Sequence, residues 1–235
     1  MLKKLIFGRD RETILNKIIY SSDRGYVCLV NANALVHYYK SESYRNILNN
    51  SFLNICDGIS VKIINNIVNI NKVNQTFPGP DLFIQLINLK HKSHFFIGCE
   101  DLNSMHKLVN NFKNKTLIDY YVPKIGSVES FNYDLISQKI NDTKPDFIWV
   151  GLGAPKQEIF MSKLEPFIKK GLMIGVGAAF NFYNGTIGRS PNFFIKLKLE
   201  WIYRIYKEPS KMFPRFLKNL FYLPLITFNE FFRKK

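Results

Sequence analysis

The sequence predicts an α/β fold in which a mostly parallel sheet is flanked by helices. Short apolar runs alternate with helical patterns along most of the 235 residues. Several of these runs are apolar throughout, as expected for strands that helices cover on both faces. Strand–helix alternation of this kind favours a parallel sheet.

The predicted strands cover residues 27–30, 52–56, 94–98, 118–122, 146–151 and 172–177. The predicted helices between them cover residues 41–50, 59–68, 81–90, 102–113, 133–141 and 156–168. Ligands of such sheets bind at the carboxyl ends of the strands. The polar and glycine-rich residues that follow the strands are therefore the first candidates for a site.

Composition narrows the class of protein. The net charge of +15 implies an anionic partner, which is a nucleic acid, an acidic lipid surface or a phosphorylated ligand. The three cysteines are too scattered for a disulfide framework or a zinc site, and the four histidines lack metal-binding spacing. We therefore predict no metal and no cofactor.

Membrane-spanning and secretory segments are not predicted. No uncharged apolar run reaches the ~18 residues of a spanning helix. The apolar stretch near Met1 is too short for the core of a signal peptide. These features predict a cytosolic or peripheral protein.

The chain changes character near Arg189, so we predict a catalytic core at 1–190 and an appendage at 191–235. Residues 191–207 have the pattern of one long helix. Eight Lys or Arg face three Glu between positions 200 and 235, interleaved with large apolar residues. Pro214 and Pro224 are expected to break any long helix here. The pattern predicts segments lying in the headgroup region of an anionic membrane; alternatively, the aromatics cover the core or form an oligomer contact.

The strongest local signal is the segment 146–158, which has the pattern of a buried strand, a glycine loop and a helix opening at Pro155. Gly151 and Gly153 would let the backbone approach a ligand. The new helix would offer free N–H groups to a phosphate or carboxylate. Lys156 and Gln157 in its first turn favour such a role, although an ordinary strand–helix turn has the same spacing.

Three further residues have two interpretations each. Asp57, at a strand end before Gly58, is placed to act as a general base or to cap the next helix. Asp81 follows Pro80 into a helix, which capping would explain, although a ligand contact is an alternative. Arg189, in a glycine-flanked loop, suits either anion binding or simple solvation.

Several motifs together resemble the WecG/TagA/CpsF family of bacterial glycosyltransferases. They are GLGAPKQE at 151–158, CDG at 56–58, FPGPDL at 77–82, GVGAAF at 175–180, GRSP at 188–191 and LEWIYR at 199–204, followed by Glu208 and Pro209. Their order and spacing hold from about position 31 to 215. The chain departs from the family pattern at Asn31, Asn181 and Ser210.

The resemblance implies a Rossmann-like core with a C-terminal membrane-binding appendage. It also implies inverting, metal-independent transfer of an N-acetylmannosamine-type sugar or related hexose. The donor would be a UDP-sugar and the acceptor an undecaprenyl-diphosphate-linked saccharide, at the cytoplasmic face of the cell membrane. The pathway would make a cell-surface polysaccharide or a teichoic-acid-like polymer. The chain lacks a DxD motif, as the family does.

Carried over position by position, the resemblance makes Asp57 the catalytic base and gives Gln157 and Asn31 donor-sugar and acceptor contacts. The substrate-binding candidates are Asn33, Asp81, Gly98, Gly151, Gly153, Pro155, Lys156, Glu158, Arg189, Arg204, Lys211 and Arg215. The basic members of this set would stabilise the leaving diphosphate without a metal. A homo-oligomer is compatible with the sequence.

Other classes fit less well. In a nucleic-acid-binding protein the basic residues would form a recognisable reading motif, whereas here they concentrate in the apolar tail. A dehydrogenase would need G-x-G-x-x-G with a ribose-binding acid ~20 residues later. A non-catalytic membrane-surface scaffold would share the tail but would have no need for Asp57 beside glycine loops.

Overall fold

One parallel sheet organises the molecule. The structure is a computed structural model that describes residues 2, 5–21, 24–98, 101–112, 116–123, 126–186, 188, 190–197 and 199–232. Within these residues the strands are β1 (Gly25–Val30), β2 (Leu53–Cys56), β3 (His94–Gly98), β4 (Leu117–Tyr121), β5 (Phe147–Gly151) and β6 (Leu172–Gly175). Their order is β2-β1-β6-β5-β3-β4, and every neighbouring pair is parallel. The α/β class and all six predicted strands are confirmed.

Helices connect the strands and continue beyond the last one. They are α1 (Arg11–Ile19), α2 (Ala32–Lys40), α3 (Glu42–Asn49), α4 (Ile59–Val68), α5 (Gly79–Ile87), α6 (Leu102–Asn111), α7 (Tyr133–Thr143), α8 (Lys156–Leu164), α9 (Ala179–Tyr183), α10 (Asn192–Lys196), α11 (Glu200–Lys207) and α12 (Pro209–Phe232). The six helices predicted between strands are present. Helices α1 and α2 were not predicted, although each begins at a side-chain cap, Asp10 for α1 and Asn31 for α2.

Alternate residues of each strand enter two apolar clusters, one on each face of the sheet. On β1, Cys28 and Val30 face the layer that contains α2, α3, α4, α7, α8 and α12. Val27 and Leu29 face the layer that contains α1, α5, α6 and α9. Burial on both faces explains why these strands are apolar throughout. Because both faces are apolar, polar side chains can lie together at the carboxyl edge of the sheet.

The C-terminal segment differs from its sequence-based prediction in two ways. The single helix predicted over 191–207 is two short helices, α10 and α11, which are separated before Glu200. The prediction that Pro214 and Pro224 break the tail was also wrong, because α12 is one helix of 24 residues that contains both. A proline inside a helix costs one backbone hydrogen bond and introduces a clash. Packing of α12 against α2, α4 and α11 outweighs that cost.

Helix α12 is anchored to the core along one side. Ile226 is fully buried in the first apolar cluster. The Glu230 carboxylate, 2% exposed, accepts a hydrogen bond of 2.8 Å from the backbone N–H of Leu2. Asn229 donates a hydrogen bond of 2.8 Å to the Tyr39 hydroxyl of α2. None of the helices in the described part of the chain combines the length and apolarity needed to cross a membrane.

Candidate active site

Asp57 lies at the carboxyl end of β2, directly before α4. Its backbone N–H donates to the Val30 carbonyl at the end of neighbouring β1, at 3.0 Å. Helix α4 has Gly58 as its N-cap and no side-chain hydrogen bond at that cap. The interpretation of Asp57 as a helix cap was therefore wrong, and its carboxylate is left for another role.

The surroundings of Asp57 change its acidity. Burial raises the pKa of Asp57 to about 6. Arg204 of α11 opposes this rise, while Glu200 and Asp81 add to it. These influences place charged side chains of the C-terminal segment and of α5 around the carboxylate. Asp57 is thus an acid that titrates near neutral pH, which is characteristic of functional sites.

Arg204 connects the C-terminal segment to this site. The side chain is half-buried, and its guanidinium lies 5.7 Å from the ring centre of Phe182 on α9. Within the described residues its buried Nε has no hydrogen-bond acceptor. A buried donor of this kind is costly unless something binds it. An anionic ligand beside Asp57 would supply the missing acceptor.

Asp81 is positioned by an ion pair. Helix α5 begins at Gly79 with Pro78 as its N-cap, so the prediction that Asp81 caps this helix was wrong. The Asp81 carboxylate instead lies 3.3 Å from the guanidinium of Arg11 on α1. This pair positions the Asp81 carboxylate, whose charge adds to the rise in the pKa of Asp57.

Gln157 connects the two glycine loops. Its Oε1 accepts hydrogen bonds from the backbone N–H of Gly153 at 3.2 Å and of Gly177 at 2.9 Å. Its Nε2 donates to the Glu158 carboxylate at 2.8 Å. Gln157 is 3% exposed and Glu158 is fully buried. Both side chains lie in the wall of the site, and their predicted substrate contacts stay predictions.

The glycines at the strand ends differ in what surrounds them. A Cβ at Gly98 would lie 3.0 Å from the Gly151 carbonyl oxygen, and one at Gly151 would lie 2.5 Å from the Phe180 ring. Close packing against β5 therefore explains Gly98, and close packing against α9 explains Gly151. Gly153 has φ +77° and open space where a Cβ would be. This conformation favours glycine and leaves the backbone accessible to a ligand.

The remaining candidates near the loops have structural partners. Lys156 donates from its ammonium to the Gly126 carbonyl at 2.6 Å and lies 4.9 Å from the Phe131 ring centre. Pro155 is the N-cap of α8 rather than its first residue. The Asn31 side chain caps α2 by accepting from the Ala34 N–H at 3.1 Å. Asn33 is half-buried in the first turn of the same helix.

The basic candidates near the C-terminus do not form one group in the structure. Arg189 and the side chain of Lys211 lie outside the described residues. Arg215 lies near Lys218, Lys40 and His37, and burial together with these three cations lowers the pKa of His37. We call these four residues the basic cluster. It lies on α2 and α12, whereas the charges that most influence Asp57 come from α11 and α5.

Large apolar side chains are exposed on α11 and α12. This apolar surface comprises Trp201, Ile202, Tyr206, Phe213, Leu217, Leu220, Phe221, Leu225, Phe228, Phe231 and Phe232. Beside this surface, α4 and α12 line a groove of about 560 Å³. Its lining includes Ser60 and Ile63 on α4 and Thr227 and Phe231 on α12. Ser60, the lining residue nearest to Asp57 in the sequence, follows it by three positions.

Sequence reasoning missed Glu200 and assigned Glu158 a substrate contact in place of a link to Gln157. Glu200 and Arg204 are spaced i, i+4 on one helical face, a signal that could have paired them. The hydrogen bond between adjacent Gln157 and Glu158 has no such periodic signature.

The described residues contain no group of three or more His, Cys, Asp or Glu arranged to hold a metal ion.

The parallel sheet flanked by helices gives the molecule a Rossmann-like fold, and Asp57 lies at the edge where sheets of this kind bind their ligands. The chain belongs to the WecG/TagA/CpsF family of glycosyl transferases, because the model of that family matches residues 6–235. The protein is therefore a glycosyltransferase, which decides against the nucleic-acid-binding, dehydrogenase and scaffold alternatives.

Two curated relatives bear the name N-acetylglucosaminyldiphosphoundecaprenol N-acetyl-beta-D-mannosaminyltransferase. The protein from Bacillus subtilis is 29% identical over 189 residues, which cover 78% of this chain and 72% of the relative. The protein from Bacillus spizizenii is 26% identical over 191 residues, with the same two shares.

Proposed function

We propose that this glycosyltransferase moves an N-acetylmannosamine-type sugar, or a related hexose, from a UDP-sugar to an undecaprenyl-diphosphate-linked saccharide. Transfer inverts the anomeric centre, needs no metal and serves the biosynthesis of a cell-surface polysaccharide or teichoic-acid-like polymer. The names of the two Bacillus relatives support the sugar and the lipid-linked acceptor. The observation that carries the proposal is the position of Asp57 at the carboxyl edge of the sheet, directly after β2, where burial raises its pKa to about 6 and Arg204 opposes the rise.

In this mechanism the Asp57 carboxylate accepts the proton of the acceptor hydroxyl. The hydroxyl oxygen forms a bond to the anomeric carbon on the face opposite the nucleotide. The bond from that carbon to the β-phosphate oxygen breaks, and UDP leaves with the electron pair. With a pKa of about 6, Asp57 is largely ionised at pH 7 and more basic than an ordinary aspartate.

The leaving diphosphate needs positive charge as its bond to the sugar breaks. Fixed donors aimed at the developing charge are an effective way to stabilise such a transition state. The buried, unpartnered Nε of Arg204 suits this role, since it lies on the helix that faces Asp57. Metal independence is supported by the lack of a DxD motif in the sequence.

The acceptor would reach the site from a membrane surface at the cytoplasmic face. The apolar surface of α11 and α12 suits the acyl boundary, and the basic cluster beside it suits anionic headgroups. The groove between α4 and α12 is apolar and within the size range of ligand sites, which suits part of a prenyl chain. A contact between two copies of the chain is the alternative use of this surface.

The test is a transfer assay with UDP-sugars and a short-chain prenyl-diphosphate saccharide. We expect Asp57→Asn to lower turnover by about 10²–10⁴-fold, the usual contribution of a general base, while UDP binding is retained. Asp134→Asn, which changes an exposed acid in the first turn of α7, is the matched control. Wild-type turnover by Asp57→Asn would remove the base from the mechanism, and no transfer from any UDP-sugar would remove the donor class.

A further inference from the structure

A continuous line of hydrogen bonds runs from the two glycine loops to a buried acid. Gly153 and Gly177 donate to Oε1 of Gln157, and Nε2 of Gln157 donates to the Glu158 carboxylate at 2.8 Å. The first glycine follows β5 and the second follows β6. One amide therefore joins the ends of two adjacent strands at the edge of the candidate site.

The direction of this amide is fixed from both ends. A glutamine side chain carries an acceptor oxygen at one position and two donor hydrogens at the other. Two backbone donors require the oxygen to face the loops, and a carboxylate requires the NH₂ group to face away from them. If the amide turned over, the NH₂ group would face N–H donors and the oxygen would face an acid. Glu158 is thus the side chain that makes the observed direction the favourable one.

Burying the Glu158 carboxyl has a desolvation cost that its hydrogen bond to Gln157 only partly offsets. It is fully buried on α8, and an apolar side chain would pack there without losing hydration. Burial raises the pKa of the Glu158 carboxyl to about 7, and the Gln157 amide and the buried Tyr44 hydroxyl of α3 oppose this rise. Oε2 of Glu158 and the Tyr44 hydroxyl each lack a completed hydrogen bond within the described residues. The acid is retained there although its own bonding is incomplete.

We propose that Glu158 is a positioning residue. By orienting Gln157, it holds the loops at 151–155 and 176–178 in the conformation that receives the nucleoside-diphosphate part of the donor. This inference rests on the proposed function and changes the role that the family resemblance gave to both residues. Gln157 and Glu158 shape the donor pocket from within its wall, and the accessible backbone near Gly153 makes the contact.

The test compares Glu158→Met, which removes the acceptor at similar volume, with Glu158→Gln, which keeps an acceptor oxygen. Isothermal titration of UDP should show at least tenfold weaker binding by Glu158→Met and near-normal binding by Glu158→Gln. Amide hydrogen exchange at Gly153 and Gly177 should be faster in Glu158→Met. Leu164→Ala, a fully buried change on the same helix, is the control for destabilisation alone. It should lower the melting temperature without changing UDP affinity.

The outcomes separate the two proposals. If the wild type binds UDP and a folded Glu158→Met binds it equally well, the positioning role is wrong. It is also wrong if Leu164→Ala weakens UDP binding as much as Glu158→Met does. If the wild type binds no UDP, the proposed donor is wrong, and the exchange at Gly153 and Gly177 still tests the link to Glu158. Should Glu158→Met not fold, Glu158→Asp, which withdraws the carboxylate by one methylene, replaces it with the same expectations.

Discussion

The sheet core and the C-terminal segment both contain many large apolar side chains but place them differently. In the core, helices on both faces bury their apolar side chains against the strands. In the C-terminal segment, α12 buries Ile226 and Glu230 but leaves side chains such as Leu220 and Phe221 more than half exposed. The core supplies the acid, Asp57, and the segment supplies the nearby cation, Arg204. The candidate site thus draws charged residues from both regions, whereas exposed large apolar side chains are concentrated in the C-terminal segment.

Arg204→Met tests most strongly whether the segment takes part in the chemistry. Removing a donor to developing negative charge typically lowers kcat by about 10²-fold, and we expect a loss of that size. Lys207→Met, which changes an exposed cation three residues later on α11, should retain activity. Equal activity of the two variants would confine the chemistry to the core.

The pH dependence of activity tests whether Arg204 interacts with Asp57. A base acts when deprotonated, so wild-type kcat/KM should fall as the pH drops through about 6, by about tenfold between pH 7 and pH 5. Arg204 holds the pKa of Asp57 down, so its removal should move this limb to higher pH. A limb that stays in place in Arg204→Met would mean that the two side chains do not interact in the working enzyme.

A smaller effect is expected from the outer face of α12. Replacing Leu220 and Phe221 by Ser should weaken flotation on anionic liposomes by about tenfold, because insertion into the headgroup region recovers only part of the roughly 1.5–3 kcal/mol that full burial of one such side chain contributes. Both side chains are exposed, so the melting temperature should hardly change. Tyr20→Ser, at a residue 81% exposed beside α1, is the control.

Point substitutions are preferable to deleting α12, since deletion would also uncover the core around Ile226. If the double variant floats as well as the wild type but changes oligomeric state, the apolar surface joins two copies of the chain.

The smallest expected effect is that of chelation. If cations of the protein supply the charge that a metal would otherwise provide, transfer should proceed at an unchanged rate in excess EDTA. If EDTA removes activity and Mg²⁺ or Mn²⁺ restores it, a metal ion rather than Arg204 stabilises the leaving diphosphate.

The sequence predicted the core well because its signals are local. Apolar runs ending in glycine or polar residues located all six strands, and the position of Asp57 after β2 located the candidate base. Two features could not be predicted in this way. The continuity of α12 through Pro214 and Pro224 depends on packing against α2 and α4, which outweighs the local preference of proline. The link from Glu158 through Gln157 to Gly177 depends on how β5 and β6 lie side by side, and no local pattern encodes it.

Close packing at the ends of β3 and β5 limits how this enzyme can be engineered for another sugar. Even a methyl group at Gly98 would lie 3.0 Å from the Gly151 carbonyl oxygen, and one at Gly151 would lie 2.5 Å from the Phe180 ring. A side chain at Gly98 would displace the β5 backbone, and one at Gly151 would displace the Phe180 ring. A library that seeks a new donor preference should therefore keep both glycines and vary Asn33 and Asn181, whose half-buried side chains lie on helices at the same edge of the sheet.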